Sequence, residues 1–467
     1  MTLSIADLNE NILAAQYAVR GPIVARAVQL EKNGRDIIFC NIGNPQALGQ
    51  KPFTYLGQFL TLLRCPSLLD NPKIIDAYPR DLVERAREII KNNPNLVGKY
   101  SASPGVQFIR EAVSEFITRR DGIPSDPESI FMIDGASKGV DLVLKSLLKS
   151  KNIGIMIPIP QYPLYSADIT LFGGTQIPYY LNEENGWQLD QANLEEAISK
   201  AEKENVNVKA IAVINPNNPT GAVLNHDNIK MVVEFAKDHE LVIMADEVYQ
   251  ENIYNEEDRF YSFAKVMNEL QVDDVSLFSF HSASKGLHGE CGARGGYVEM
   301  RNIPPEVKQQ LLKAQSIALC SNLMGQVAMY AIIAPPGEGD ESYALYIEER
   351  TEIFNSLAKR ARMMGGGLDS IDGMSCVIPR GAMYVFPKLD LPRGSYQIDG
   401  KTTAPDFHFC YRLLEETGVC VVPGSGFGQV PGTHHFRGTI LPPEEKIEHV
   451  IRSIENFYPK YIKSDKS

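Results

Sequence analysis

Short apolar runs separated by longer amphipathic stretches restrict this chain more than any other feature. Ile155-Met156-Ile157, Ala210-Ile211-Ala212-Val213-Ile214 and Leu241-Val242-Ile243-Met244 show no polar alternation, so each reads as a strand covered on both faces. The segments between them, such as Leu194 to Lys203 and His226 to Lys237, repeat apolar residues at helical spacing. Buried strands alternating with helices predict an α/β layer with a mainly parallel sheet. In such a sheet ligands collect beyond the carboxyl ends of the strands, which is where chemistry should be sought.

With 467 residues the chain exceeds the ~250–300 at which a single core stops growing, so a second unit is expected. Composition shifts at Ala334-Pro335-Pro336-Gly337-Glu338-Gly339-Asp340, which reads as a loop before a long helix from Ser342 to Met364. Met383 to Phe386, a helix from Phe407 to Glu416 and Val419 to Val422 then follow. The expected division is a large domain over 51–335 and a smaller α+β domain over 336–467. Residues 1–50 are expected to form an arm and part of the small domain, packing there or on a partner, and the tail from Lys463 to Ser467 to fray.

Bulk charge excludes some classes of function. Fifty-eight acidic against 46 basic residues give a net charge of −12, which argues against a nucleic-acid surface or an anionic-membrane footprint. A small anionic ligand needs only one or two local cations and is untouched by that argument. The seven cysteines include no C-x-x-C pair, so neither a disulfide framework nor a zinc site is expected, and no metal is assigned. Reduced thiols suit a cytosol-like compartment. Residues 1–7 resemble neither a secretory signal nor a transit peptide, and no stretch approaches the ~18 apolar residues of a membrane span. A cytoplasmic protein is the expectation.

Four segments at expected strand ends carry chemistry. Ser279-Phe280-His281-Ser282-Ala283-Ser284-Lys285-Gly286 places an amine among small residues, with hydroxyls one and three positions before it. Schiff-base chemistry needs such an uncovered lysine. Arg294, on the glycine-rich Gly292-Ala293-Arg294-Gly295-Gly296, could grip an anion with two prongs. Asp134-Gly135-Ala136-Ser137 runs from a strand into a helix, whose first N–H groups and the Ser137 hydroxyl suit an anion. Asn215-Pro216-Asn217-Asn218-Pro219-Thr220-Gly221 is a turn that brings Asn218 to a strand end. In Ala245-Asp246-Glu247-Val248-Tyr249 the carboxylate of Asp246 could bind a protonated ring nitrogen, with the Tyr249 hydroxyl reaching a phenolic oxygen of the same ring. Singly, these segments have plainer readings: a surface loop, two helix caps and a turn. Together they suit one ligand that carries a phosphate, a pyridinium and an aldehyde.

The order N-P-x-N-P-T-G, D-E-V-Y and S-x-S-K…R resembles the fold-type-I aminotransferases. Several stretches narrow the resemblance to the alanine aminotransferase group, which includes the similar glutamate:glyoxylate enzymes. They are Tyr17 to Ile23, Asn41 to Pro52, His281 to Gly286, Gly289 to Gly292, Gly381-Ala382-Met383-Tyr384 and Leu441 to Glu444. The nine residues from Lys285 to Arg294 (294 − 285) also fit that group. The resemblance implies a mostly parallel sheet of the seven-stranded type in the large domain, with pyridoxal 5′-phosphate as cofactor.

By position, Lys285 resembles the Schiff-base lysine that also shuttles the substrate proton. Asp246 matches the partner of the pyridine nitrogen, and Tyr249 and Asn218 match the residues at the ring oxygen. Tyr162 stands where an aromatic stacks on the ring; Ala136, Ser137, Ser282 and Arg294 match the phosphate cup. Tyr100 resembles the tyrosine that reaches the phosphate from the other subunit of a homodimer. Arg437 matches the clamp on the substrate α-carboxylate, with Gly43 in the loop that closes over it and Asn218 beside it. No second arginine stands out for a substrate side-chain carboxylate. The implied reaction is ping-pong transamination, L-alanine plus 2-oxoglutarate giving pyruvate plus L-glutamate. Glyoxylate as acceptor is the nearest alternative, and a catalytically silent, regulatory cofactor-binding protein is the distant one.

Overall fold

The computed structural model describes residues 2–464, so positions 465–467 of the tail expected to fray lie outside it. The apolar runs form the middle of one seven-stranded sheet. Its strands are β1 (Ile130–Ile133), β2 (Ile153–Ile159), β3 (Thr175–Tyr180), β4 (Asn207–Ile214), β5 (Val242–Asp246), β6 (Leu277–Ser282) and β7 (Gly296–Arg301). The order across the sheet is β1-β7-β6-β5-β4-β2-β3. Only β7 runs against the others, pairing antiparallel with β1 and β6. Every residue of β1 and β6 is buried, as continuous apolar strands between two helical layers require. Helices such as α1 (Ala136–Leu147) and α2 (Leu164–Leu171) cover the sheet with their apolar sides.

The long helix α3 begins at Tyr343 as expected but runs past Met364 to Asp369, through Gly365-Gly366-Gly367. Three glycines weaken a helix, and packing compensates. A Cβ on Gly367 would lie 2.6 Å from Ile451 of α4 (Glu444–Ser464), so the missing side chain is what lets the two helices approach. The strands expected at Met383–Phe386 and Val419–Val422 are much reduced. They survive as β8 (Tyr384–Val385), a pair at Val419–Cys420, and β9 (Val422–Pro423). Strands β8 and β9 flank the central β10 (Phe436–Thr439), and Ile38–Phe39 pairs in parallel with Val419–Cys420.

Candidate active site

Because β7 runs opposite to its neighbours, its first residue lies at the sheet edge where the other strands end. The segments after β1, β2, β4, β5 and β6, and the one before β7, therefore converge on one edge. They surround a cavity of about 510 Å³. Every candidate site residue named from the sequence lines it except Tyr100, which is 77% exposed and borders a separate cleft.

One end of the cavity is built for an anion. Gly135 (φ 79°) turns the chain from β1 into α1, whose first-turn N–H groups at Ala136 and Ser137 have no carbonyl to bind within the helix. Arg294 lies across this turn and donates to Asp134 O at 2.9 Å, Ser284 Oγ at 3.1 Å and Cys291 O at 3.2 Å. A Cβ on Gly135 would meet Arg294 Nη2 at 2.3 Å, so only glycine leaves room for the guanidinium. Ser282 Oγ accepts from Ser284 N at 3.1 Å and donates to Gly295 O at 3.3 Å, which brings both hydroxyls to the same place.

The other end presents a carboxylate, an amine and phenols. Asp246 is the last residue of β5 and caps no helix. Burial pushes its carboxyl up to about 6, against the opposing influence of the Tyr165 hydroxyl, the Val248 N–H and the nearby Lys285 charge. Oδ2 accepts from Tyr165 at 3.0 Å, while the buried Oδ1 has no partner among the described residues. A buried carboxylate oxygen without a donor costs free energy, and a cationic N–H would satisfy it. Lys285 Nζ donates to Gly43 O at 2.6 Å and lies 5.9 Å from the Tyr249 ring centre. A Cβ on Gly43 would fall 1.9 Å from the Tyr384 hydroxyl, so this loop approaches the site only because residue 43 has no side chain. Tyr162 flanks the cavity with its hydroxyl 2.5 Å from that of Tyr17, and its phenol is raised well above its usual range by burial and then by Tyr17.

Arg437 comes from the small sheet. Thr439 faces Tyr384 across β8 and β10, and residues two apart share a face, so Tyr384 and Arg437 project together. The guanidinium is held between the Tyr384 ring at 4.3 Å and the Phe427 ring at 4.5 Å. It donates to Asn218 Oδ1 at 3.0 Å and to Asn41 O, while its buried Nε has no acceptor among the described residues. No carboxylate pairs with it among the described ion pairs, so this 1%-exposed cation is suited to an anionic ligand.

Some residues of the site were not named from sequence. Tyr249 donates to Tyr384 at 3.3 Å; burial pushes the Tyr384 phenol up, but Lys285, Arg437 and this hydrogen bond bring it below its usual value. Tyr384 and Tyr17 lie in stretches that carried the family resemblance, yet their chemistry depends on contacts distant in the chain. Tyr165 carried no signal beyond standing three residues after Tyr162. Elsewhere, His435 stacks on Phe386 and hydrogen-bonds Gln429 and Glu183, and Trp187 is packing, 3% exposed against Phe386 and His435. All seven cysteines are free thiols. No described helix is long and apolar enough to cross a membrane.

The model of the family described as "Aminotransferase class I and II" matches residues 75–454. The chain is 45% identical to "Probable alanine aminotransferase, mitochondrial" of Dictyostelium discoideum, covering 99% of this chain and 90% of the relative. It is also 45% identical to "Glutamate--glyoxylate aminotransferase 2" of Arabidopsis thaliana, covering 98% and 96%. The fold superimposes on the solved alanine aminotransferase of Pyrococcus furiosus with a TM-score of 0.79 at 26% identity, covering 97% and 100%. The expected cytoplasmic location is overturned, since several of the most similar relatives are named as mitochondrial. The inference failed because reduced cysteines report a reducing environment and not which reducing compartment it is.

Proposed function

The chain belongs to the class I and II aminotransferases, and we propose that the cavity at the strand ends is its active site, with Lys285 as the catalytic lysine. The reaction is pyridoxal-phosphate-dependent transamination of the alanine type, L-alanine plus 2-oxoglutarate giving pyruvate plus L-glutamate. The residues present fit that cofactor, and one observation carries the reading. The orphaned Asp246 Oδ1 and the turn of Gly135, Ala136, Ser137 and Arg294 open onto the same cavity as Lys285 Nζ. A pyridinium, a phosphate and an aldehyde each find a matching group there.

In this reading Ala136, Ser137, Ser282 and Arg294 hold the phosphate. Asp246 holds the ring nitrogen, Tyr249 and Asn218 the ring oxygen, and Tyr162 covers a ring face. When bound, the cofactor supplies the aldehyde that takes the amino group and a cationic ring that absorbs the electrons of the broken C–H bond. Arg437 binds the substrate α-carboxylate, with Asn218 and the Gly43 loop closing around it, and so orients the α-hydrogen. Lys285 Nζ takes that proton from the α-carbon, a role supported by its hydrogen bond to Gly43 O, which ties the amine to the loop. Shielding by Tyr384 and Phe427 keeps water from the carboxylate clamp and strengthens it. Tyr100, exposed and outside this cavity, suits a role across the interface of a homodimer.

Lys285→Ala tests the assignment. The purified variant is expected to lose both the visible cofactor band of the wild type and transamination. Retention of both would sink the proposal. The similarity to a glutamate–glyoxylate aminotransferase supports a second reading, glyoxylate as acceptor. Parallel assays with 2-oxoglutarate, pyruvate and glyoxylate separate the two.

A further inference from the structure

Tyr384 lines the cavity and touches both the carboxylate clamp and the tyrosine assigned to the ring oxygen. The Arg437 guanidinium lies over its ring, 4.3 Å from the centre, and its hydroxyl accepts from that of Tyr249 at 3.3 Å. The two phenol rings meet edge to face, 6.1 Å apart at an interplanar angle of 85°. A Cβ on Gly43 would lie 1.9 Å from the Tyr384 hydroxyl and 3.1 Å from Lys285 Nζ, so phenol and amine close on the same point of the loop. A buried tyrosine is usually core packing whose hydroxyl has found some polar partner. This one is 2% exposed, but the partner it has found is a second hydroxyl inside the cavity.

The backbone fixes that meeting. Tyr384 follows the turn at residues 380–383, and the segment after Tyr249 holds this turn at three points. Tyr254 N–H donates to Arg380 O at 2.8 Å, Ala382 N–H to Asn252 O at 2.9 Å, and the Tyr254 hydroxyl to Ala382 O at 2.5 Å. A Cβ on Gly381 would fall 2.6 Å from Asn252 O, so only glycine lets the two segments come this close. Asn252, fully buried, also donates through Nδ2 to Gly286 O at 3.1 Å, beside Lys285. One frame therefore carries Tyr249, Tyr384 and Lys285, and contacts set in advance lose little freedom when a ligand arrives.

A phenol can donate and accept at once. When Tyr249 turns its proton to the ring oxygen of the cofactor, its own oxygen is left to accept from Tyr384. Linked hydrogen bonds strengthen one another in a buried site. The charged or titratable groups facing the Tyr384 phenol are Lys285, Arg437, Tyr249, Cys291 and Tyr162. Burial pushes the phenol up, yet Lys285, Arg437 and the Tyr249 contact bring it below its usual value, which makes it the better donor. We propose that Tyr384 is a positioning residue that joins the carboxylate clamp to the ring-oxygen contact. Its ring seats the Arg437 guanidinium, and its hydroxyl backs Tyr249 in the hydrogen bond to the cofactor. The inference rests on the reading of this cavity as the cofactor site.

The test is a pH titration of the visible cofactor band, together with KM for alanine, in wild-type, Tyr384→Phe and Tyr384→Leu holoenzymes. A weaker bond to the ring oxygen disfavours the unprotonated form of the bound cofactor, in which no neighbouring proton offsets the charge on that oxygen. The midpoint should therefore rise by about 0.3–1 pH unit in Tyr384→Phe. Phenylalanine keeps a ring over Arg437, so KM should stay within about twofold. Tyr384→Leu should show the same rise and a KM about 5- to 30-fold higher. An unchanged midpoint in Tyr384→Phe overturns the proposal, because packing alone would move no midpoint, and so does a wild-type KM in Tyr384→Leu. Absorbance titration of the apoproteins tests the phenol contact without the cofactor. Wild type should hold one tyrosine ionising below the ordinary range, and Tyr384→Phe should lack it; identical curves would count against the contact. A wild type without a visible band would overturn the cofactor reading itself, and the apoprotein titration marks that failure off from one confined to Tyr384.

Discussion

Asp246 and Arg437 are buried charges of opposite sign, and each keeps one polar atom without a partner among the described residues. Such atoms destabilise a fold that is not holding its ligand. Asp246→Asn should therefore separate function from stability. Neutralising one partner of a buried ion pair costs ~2–5 kcal/mol, so kcat/KM should fall on the order of 10² to 10³-fold. The cofactor-free variant should nevertheless be the more stable at neutral pH. The carboxyl lies at about 6 in the native protein against an ordinary 3.8, so between those values the native state binds more protons and stability falls as pH rises. Above that window the variant should gain about 1–3 kcal/mol, and the gain should vanish as pH falls toward 3.8. Urea unfolding of both apoproteins at several pH values measures it, and a gain independent of pH would refute the account.

At the level of elements, the end of β5 sends consecutive residues to opposite sides of the sheet. Asp246 enters the cavity, whereas Glu247 lies behind it, accepting from Phe263 N at 3.0 Å beside Arg120. Burial pushes Glu247 up to about 8, with Arg120 the main opposing influence. Its native value exceeds the ordinary 4.5, so its contribution to stability is present below pH 4.5 and is lost as pH rises toward 8. Glu247→Gln should flatten the decline in Tm of the apoprotein between pH 6 and 8.5, and a slope equal to that of the wild type would count against it. The strands themselves were legible because a strand covered on both faces must be apolar throughout, and Asp246, Ser282 and Lys285 follow such runs locally. The small sheet was less so, since strands of two residues such as β8 and β9 leave no periodicity to read. The pairing that brings Tyr384 beside Arg437 depends on register between distant segments, as does the contact of Tyr17 with Tyr162.

For the whole molecule, the site draws Gly43, Lys285 and Arg437 from the two ends and the middle of the chain, so it exists only once the large and small sheets have docked. Tyr100 is the exception. Its hydroxyl belongs to the proposed machinery, but its side chain is 77% exposed and away from the cavity. The proposed homodimer would reconcile those facts, and mixed dimers can decide it. Lys285→Ala subunits lack the catalytic amine, and Tyr100→Ala subunits lack the donated tyrosine, so each homodimer should be severely impaired. In a hybrid dimer, the site of the Tyr100→Ala subunit keeps its own lysine and receives an intact Tyr100 from its partner. Random reassortment of equal amounts makes half the dimers hybrids with one whole site each, so activity should recover to about a quarter of wild type. If Tyr100 instead served its own subunit, no site in the mixture would hold both groups, and refolding the two variants together would restore nothing.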